Sequence, residues 1–137
     1  MKCLSLRQPY AELVAAGRKT IETRKWNTKF RGKFLIHSSK TIDKEISTLL
    51  NIDCSRLTKG AVIGVACLYD VKKYTNKEDF LADKVAHLSD NFSNPKYGFL
   101  LKDAKKLNKP IPLIGRLGFF NMHTIDDDLE SFLYPRF

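Results

Sequence analysis

Five polar residues near the N-terminus are spaced so that they could act together: Arg7 and Gln8, followed by Lys19, Glu22 and Arg24. If Thr20–Trp26 is extended, alternate side chains share a face, so Thr20, Glu22 and Arg24 point one way and Ile21 and Thr23 the other. Lys19 stands at the turn into that stretch, where its flexible stem can swing to the same side. Such a set supports two kinds of chemistry. Arg7, Lys19 and Arg24 can grip phosphate or base edges while Gln8 and Glu22 hydrogen-bond a base. Alternatively, a desolvated Lys19 with a lowered pKa can act as base or nucleophile, with Glu22 handling the proton of a water or a leaving amine. Glu22 works against that second role, because a neighbouring carboxylate stabilises the ammonium form. A plain ion-pair row ordering the junction is the third possibility, and exposed pairs contribute only about 0–1 kcal/mol. Convergence of Arg7, Gln8, Lys19, Glu22 and Arg24 at one end of a sheet, beside apolar walls, favours a ligand pocket.

The elements that must position these residues are short. Met1–Ser5 reads as a strand. Pro9 suits a helix start and Gly17 a helix stop, with Tyr10, Leu13 and Val14 on an apolar face between them, which predicts a helix over 9–16. Thr20–Trp26 and Lys33–His37 form a strand pair around the turn Asn27–Gly32. A second helix follows Thr41 as N-cap, carrying Ile42, Ile46, Leu49 and Leu50. Gly60–Tyr74 is the strongest strand, apolar enough in its first half to be buried on both faces, and Gly64 within it marks a bend or bulge. Residues 75–95 are polar and ambiguous, with a short helix around Glu78–Ala86 and a turn at Asn94-Pro95. Tyr97–Leu101 and Leu117–Met122 are closing strands joined by the Lys- and Pro-rich connection 102–116. The expectation is a β-rich α+β fold, with a closed barrel as one form of it.

Composition bounds the function. The chain has 137 residues, a hydrophobic fraction of 43% and a charged fraction of 28%, the values of one ordinary globular domain spanning 1–137. The absence of a long apolar run argues against a membrane span, and MKCLSLRQPY breaks before a signal-peptide core can form, so a cytoplasmic protein is expected. Formal net charge is +9, from 24 Lys+Arg against 15 Asp+Glu. Between Gly17 and Lys40, Glu22 is the one acid among eight cations, and a second basic stretch runs from Lys96 to Arg116. Residues 123–137 carry Asp126, Asp127, Asp128 and Glu130 instead, an acidic extension packed on or trailing from the domain. Concentrated positive charge is the footprint of nucleic-acid binding, although a solvated lysine surface has the same composition.

Cys3, Cys54 and Cys67 lack the spacing of a zinc site or a disulfide framework, so no metal and no cofactor is expected. Cys3 and Cys67 read as core. Tyr10 and Trp26 are candidate platforms for stacking a base, though aromatics in such positions are more often core. His37, ending a strand before Ser38-Ser39, is the one histidine placed near a cleft. Local bonding is its simplest role, and Ser38 could donate to a phosphate or cap a turn. His87 and His123 are scattered and form no pair.

The segment LSLRQPYAELVAAGRKTIETRKW, then FLIHSS, then PIPLIGRLGFFNM, resembles the ASCH domain (activating signal cointegrator homology) of the PUA-like superfamily. An RQP turn followed by GxKTxExR carries most of the likeness. The resemblance implies a small β-barrel of about five to six strands flanked by two or three short helices, with a cleft beside the first helix. It also implies RNA binding or a link to RNA modification. Some bacterial members remove the acetyl group of N4-acetylcytidine, and the lysine of their GRKT element, catalytic there, corresponds to Lys19. Those enzymes carry a catalytic Thr where this chain has Glu22, and their downstream Glu has no secure counterpart here.

Three classes of function follow. The first is a module gripping single-stranded RNA or a modified nucleotide through Arg7, Gln8, Pro9, Tyr10, Lys19, Thr20, Glu22, Arg24, Trp26, His37 and Ser38. The second is a hydrolase acting on a modified nucleoside or RNA, with Lys19 and Glu22 as its catalytic residues; ribonuclease action is a variant of it. The third is a protein–protein adaptor, for which the acidic tail and basic surface suffice.

Overall fold

The computed structural model describes residues 1–122; the acidic extension expected over 123–137 lies outside the described residues. The order of elements is β1 (Lys2–Gln8), α1 (Tyr10–Ala15), β2 (Ile21–Arg24), β3 (Gly32–Ile42), α2 (Lys44–Leu49), a 3-10 turn at Cys54–Arg56, and β4 (Ala61–Tyr74). There follow α3 (Lys77–Ala82), α4 (Lys84–His87), β5 (Lys96–Pro112) and β6 (Phe119–Asn121). The strands form one sheet in the order β2-β5-β4-β3-β1-β6. Among the described residues only the β1–β3 pairing is parallel; the others are antiparallel.

No backbone ladder joins β2 to β6, yet the sheet curls until its two edges meet. Trp26, just past β2, packs edge-on against Phe119 of β6 at 6.0 Å between ring centroids. Arg24 at the end of β2 donates through Nη2 to the carbonyl of Ser5 in β1 at 2.9 Å. The result is a barrel-like α+β fold closed by side chains. Its interior is filled by Leu4, Leu6, Phe34, Ile36, Phe99 and Leu101, with α1 laying Ala11, Val14 and Ala15 against them. A second, smaller cluster of Cys3, Leu35, Val62, Val65 and Met122 occupies the other face. Burial pushes the Cys3 thiol up to about 12, so it behaves as a small apolar residue.

The α1 stop is what delivers the site. Gly17 has φ +78°, a conformation glycine adopts without penalty. With the chain so turned, the Arg18 and Lys19 amides both donate to the Leu13 carbonyl, at 2.9 and 3.0 Å. These bonds satisfy the helix end and set Lys19 at the mouth of β2.

Four local readings of the sequence change. The strand pair expected across Asn27–Gly32 does not form: β2 pairs with β5, while β3 lies between β1 and β4, so the two strands are not neighbours in the sheet. Residues 102–112 are not a connection: β5 runs unbroken through them, pairing Lys102 with Cys67, Lys105 with Val65 and Pro112 with Ala61. Lys102, Lys105, Lys106 and Lys109 are exposed while Leu101, Ala104, Leu107 and Ile111 turn inward to varying depth, a pattern that register shifts make irregular. The α2 N-cap is Asp43, whose side chain accepts from the Ile46 amide at 3.1 Å, because Thr41 and Ile42 still belong to β3. The helix expected near Glu78–Ala86 is two short helices, broken at Asp83.

Gly64 lies at a register shift between β4 and β5, in agreement with the expected bulge. A Cβ there would sit 2.6 Å from the Lys105 carbonyl oxygen and 3.0 Å from the Ala15 Cβ. The missing side chain therefore lets α1 and β5 approach the same point. Gly64→Ala is expected to lower unfolding free energy by about 1–3 kcal/mol, measured by urea denaturation.

Candidate functional site

Lys19 is 2% exposed, an unusual place for an ammonium group. Its Nζ donates to the carbonyl of His87, lies 3.8 Å from Glu22 Oε1, and stands 4.9 Å from the centre of the Tyr10 ring. Burial lowers its pKa below the ordinary lysine value; Glu22 opposes that shift, while Arg24 and Lys96 add to it. The same environment holds the Tyr10 phenol up, to about 12, chiefly through burial and then through Asp43 and Glu22.

Glu22 is itself buried. Its Oε1 accepts from the Thr23 amide at 3.0 Å, and Oε2 accepts from Arg24 Nη2 at 3.3 Å. The carboxylate thus sits between two cations, Lys19 and Arg24, held by different oxygens. Arg24 also reaches the Ser5 carbonyl, so one guanidinium fastens β2 to β1 across the mouth of the barrel. Glu22 and Arg24 share a face as the alternation requires. Thr20 precedes the strand and is exposed, its amide donating to the Ala86 carbonyl at 3.0 Å.

The third wall comes from residues 87–96, most of which lie in the stretch 75–95 that the sequence left ambiguous. At the end of α4, Leu88 adopts φ +61°, and the His87 carbonyl, a helix-end acceptor, is taken by Lys19. His87 is fully buried and stacked on Phe80, with ring centroids 4.0 Å apart. The Ser89 amide donates to its Nδ1 at 3.1 Å, so Nε2 carries the proton and donates to the Phe80 carbonyl at 2.6 Å. Burial accordingly holds the His87 pKa below its ordinary value. Lys96 is also buried, donates to the Asn91 carbonyl at 2.9 Å, and has its pKa lowered chiefly by burial.

These groups surround a cleft of about 600 Å³ lined by Tyr10, Lys19, Glu22, Asp43, Asp90 and Lys96, among others. Ser5, Arg7 and Arg24 also line a second cavity of about 1290 Å³, on the side of β6 and the loop 113–118. Of the residues singled out in the sequence, Arg7, Tyr10, Lys19, Glu22 and Arg24 meet at the first cleft, and His37 borders the second. Gln8, Pro9, Thr20, Trp26 and Ser38 line neither. Gln8 is fully buried, donating to the Thr58 carbonyl and accepting from the Glu12 amide. Trp26 packs on Phe99 and Phe119, and Ser38 donates to the Ala61 carbonyl. His37 accepts from Ser5 Oγ at Nδ1 (2.9 Å) and donates from Nε2 to the Leu113 carbonyl (2.6 Å). Asp43, Glu45, Ser89, Asp90, Asn91 and Lys96 were not found from sequence. Of these, Lys96 alone had a signal, as the first cation of the second basic stretch.

The ASCH domain model matches residues 4–111, and the chain belongs to the ASCH domain family. Among solved structures it is similar to ASCH from Zymomonas mobilis, with 20% identity and a TM-score of 0.60 over 82% of this chain and 73% of that one. A tyrosine-to-phenylalanine mutant of the Zymomonas mobilis protein matches at 14% identity and a TM-score of 0.65, covering 96% of this chain and 94% of that one. A serine-to-alanine mutant matches at 16% identity and a TM-score of 0.65, covering 96% and 92%. Likeness at such identities shows the shared fold. No curated protein matches the chain. The ASCH domain is a PUA-like fold, a family associated with RNA binding.

His87 gives the site a measurable pH dependence. Its folded pKa is lowered, so the unfolded chain takes up the proton first as pH falls. Stability is therefore complete above the unfolded value of 6.5 and declines as pH drops through it. Thermal melts between about pH 7.5 and pH 5 are expected to show a falling Tm in the wild type and a flatter slope in His87→Gln.

Proposed function

We propose that the cleft binds one nucleotide of single-stranded RNA, or a modified nucleotide, through its base and sugar. The observation that carries this reading is the pairing of four cations, Arg7, Lys19, Arg24 and Lys96, with four carboxylates, Glu22, Asp43, Glu45 and Asp90, around one cleft. A purely phosphate-binding pocket has no use for carboxylates. A base offers amino and imino donors beside carbonyl acceptors, and so calls for both signs at once. The volume of about 600 Å³ suits a ligand of nucleotide size. Tyr10 supplies the aromatic wall, whereas Trp26 is committed to the core. Such a ligand is met in the cytoplasm, the location expected from the sequence.

A second reading is favoured by the depressed pKa of Lys19 beside Glu22. In a hydrolase acting on N4-acetylcytidine, Glu22 takes a proton from a water whose oxygen attacks the acetyl carbonyl. The C–N bond then breaks as the exocyclic nitrogen receives a proton, leaving acetate and cytidine. Lys19, its ammonium form made more acidic by burial, would give the exocyclic nitrogen that proton and recover one from Glu22.

Fluorescence anisotropy with a labelled, mixed-sequence RNA octamer tests the binding reading. Lys19→Met and Glu22→Gln are each expected to weaken the octamer at least tenfold, about 1.4 kcal/mol, with folding confirmed by melts. Folded variants with wild-type affinity would remove the cleft from the interface. For the hydrolase, acetate release from N4-acetylcytidine is followed directly. Turnover lost in Lys19→Met supports it, and no turnover alongside intact RNA affinity leaves binding alone.

A further inference from the structure

The two cavities differ in charge in a way that their shared residues make meaningful. The nucleotide cleft is balanced between cations and carboxylates. The larger cavity has Arg7, Arg24, Lys40 and Arg116 among its lining residues and no carboxylate at all among the described residues. Arg7 and Arg24 stand on the boundary, each already held by an acid from the nucleotide side: Asp43 at 3.9 Å and Glu22 at 3.3 Å. Lys40 and Arg116 form no ion pair with any described residue. A concave surface lined by cations of one sign focuses potential and gathers anionic ligands.

The wall that carries Arg116 is built into the fold. Buried His37, within the run of buried β3 residues from Phe34 to Ser38, donates to the Leu113 carbonyl and so pins the start of the 113–118 loop. Gly115 closes down on that ring so tightly that a Cβ would lie 2.6 Å from His37 Cε1 and 2.9 Å from Ser5 Oγ. The loop is thus docked over Ser5 and His37, and Arg116 projects from a fixed base. At the opposite side, the Lys40 stem lies along Gly60, where a Cβ would meet its Cε at 3.4 Å.

We infer that the larger cavity is a phosphate-bearing subsite for the neighbouring part of an RNA strand, and that the ligand is an oligonucleotide and not a free nucleoside. This rests on the nucleotide reading of the first cleft. One nucleotide occupies the mixed-charge cleft, the strand crosses the boundary at Arg7 and Arg24, and its next phosphates lie against Lys40 and Arg116. A free nucleoside has no group to satisfy the second cavity, whereas each additional phosphate does. Contacts of this kind add affinity without base specificity and are screened by salt.

The test uses the full chain and the double variant Lys40→Ala/Arg116→Ala, both changes being at exposed positions. Probes are the labelled mixed-sequence RNA octamer, across a series of KCl concentrations, and an unlabelled mixture of ribonucleosides including N4-acetylcytidine, read by isothermal titration calorimetry. The expected result is about tenfold weaker octamer binding and a salt slope reduced by about 1.4, from two lost phosphate contacts at about 0.7 each. Nucleoside affinity should stay within twofold of wild type. Unchanged octamer affinity and slope would overturn the subsite, and continued sensitivity to Lys19→Met would show that the first cleft survives that failure. Equal loss for octamer and nucleosides would overturn it too, since the two cavities would then act as one. If the octamer binds neither protein, both readings fall together.

Discussion

A buried ammonium group must find partners or lose its proton, and Lys19 meets that constraint with groups from three elements, α1, β2 and the end of α4. The His87 carbonyl accepts its hydrogen bond, the Glu22 carboxylate lies 3.8 Å away, and the Tyr10 ring faces it at 4.9 Å. Leaving such a charge unpartnered in a low-dielectric interior costs several kcal/mol, so this arrangement fixes where α1, β2 and the 87–96 segment can sit. Glu22 in turn requires Arg24, and Arg24 requires the Ser5 carbonyl, which draws the β2 edge toward β1. The side-chain closure of the barrel and the assembly of the cleft are thus the same set of contacts.

That coupling has a chemical consequence. The pull of Glu22 on Lys19, which from sequence alone argued for a firmly protonated lysine, is outweighed by burial together with Arg24 and Lys96. A lysine so placed is a good donor to a ligand and a more available base than an exposed one. A bulky apolar residue in the same space would have packed with less electrostatic cost.

What the sequence revealed follows the strength of local rules. Alternation placed Glu22 and Arg24 on one face, and the helix stop at Gly17 placed Lys19 beside them, because strand period and left-handed glycine are local properties. Gly64 marked its bulge for the same reason. Thr20 departed from the shared face because the extended run begins one residue later, at Ile21. The run Lys102–Pro112 looked like a connection since its lysines and prolines are poor strand formers. Pairing with β4 overrode that propensity. Residues 87–96 were opaque because the helices that bring them in have only six and four residues, and their placement depends on tertiary bonds to Lys19 and Phe80. Gln8 and Trp26 illustrate the converse. Both have the right chemistry for a ligand, and both are occupied elsewhere, Gln8 by backbone partners and Trp26 by the core.

The central claim is that the Lys19–Glu22–Arg24 cluster faces the ligand. Amide chemical-shift mapping by two-dimensional NMR, during titration with the RNA octamer, examines it most directly. The account predicts that the largest shifts fall on Tyr10, Lys19, Glu22, Thr23 and Ser89–Asn91, the cleft walls contributed by α1, β2 and the loop before β5. Shifts confined to the exposed lysines of β5, from Lys102 to Lys109, with the cleft amides unmoved, would contradict it and reduce the basic surface to unspecific attraction.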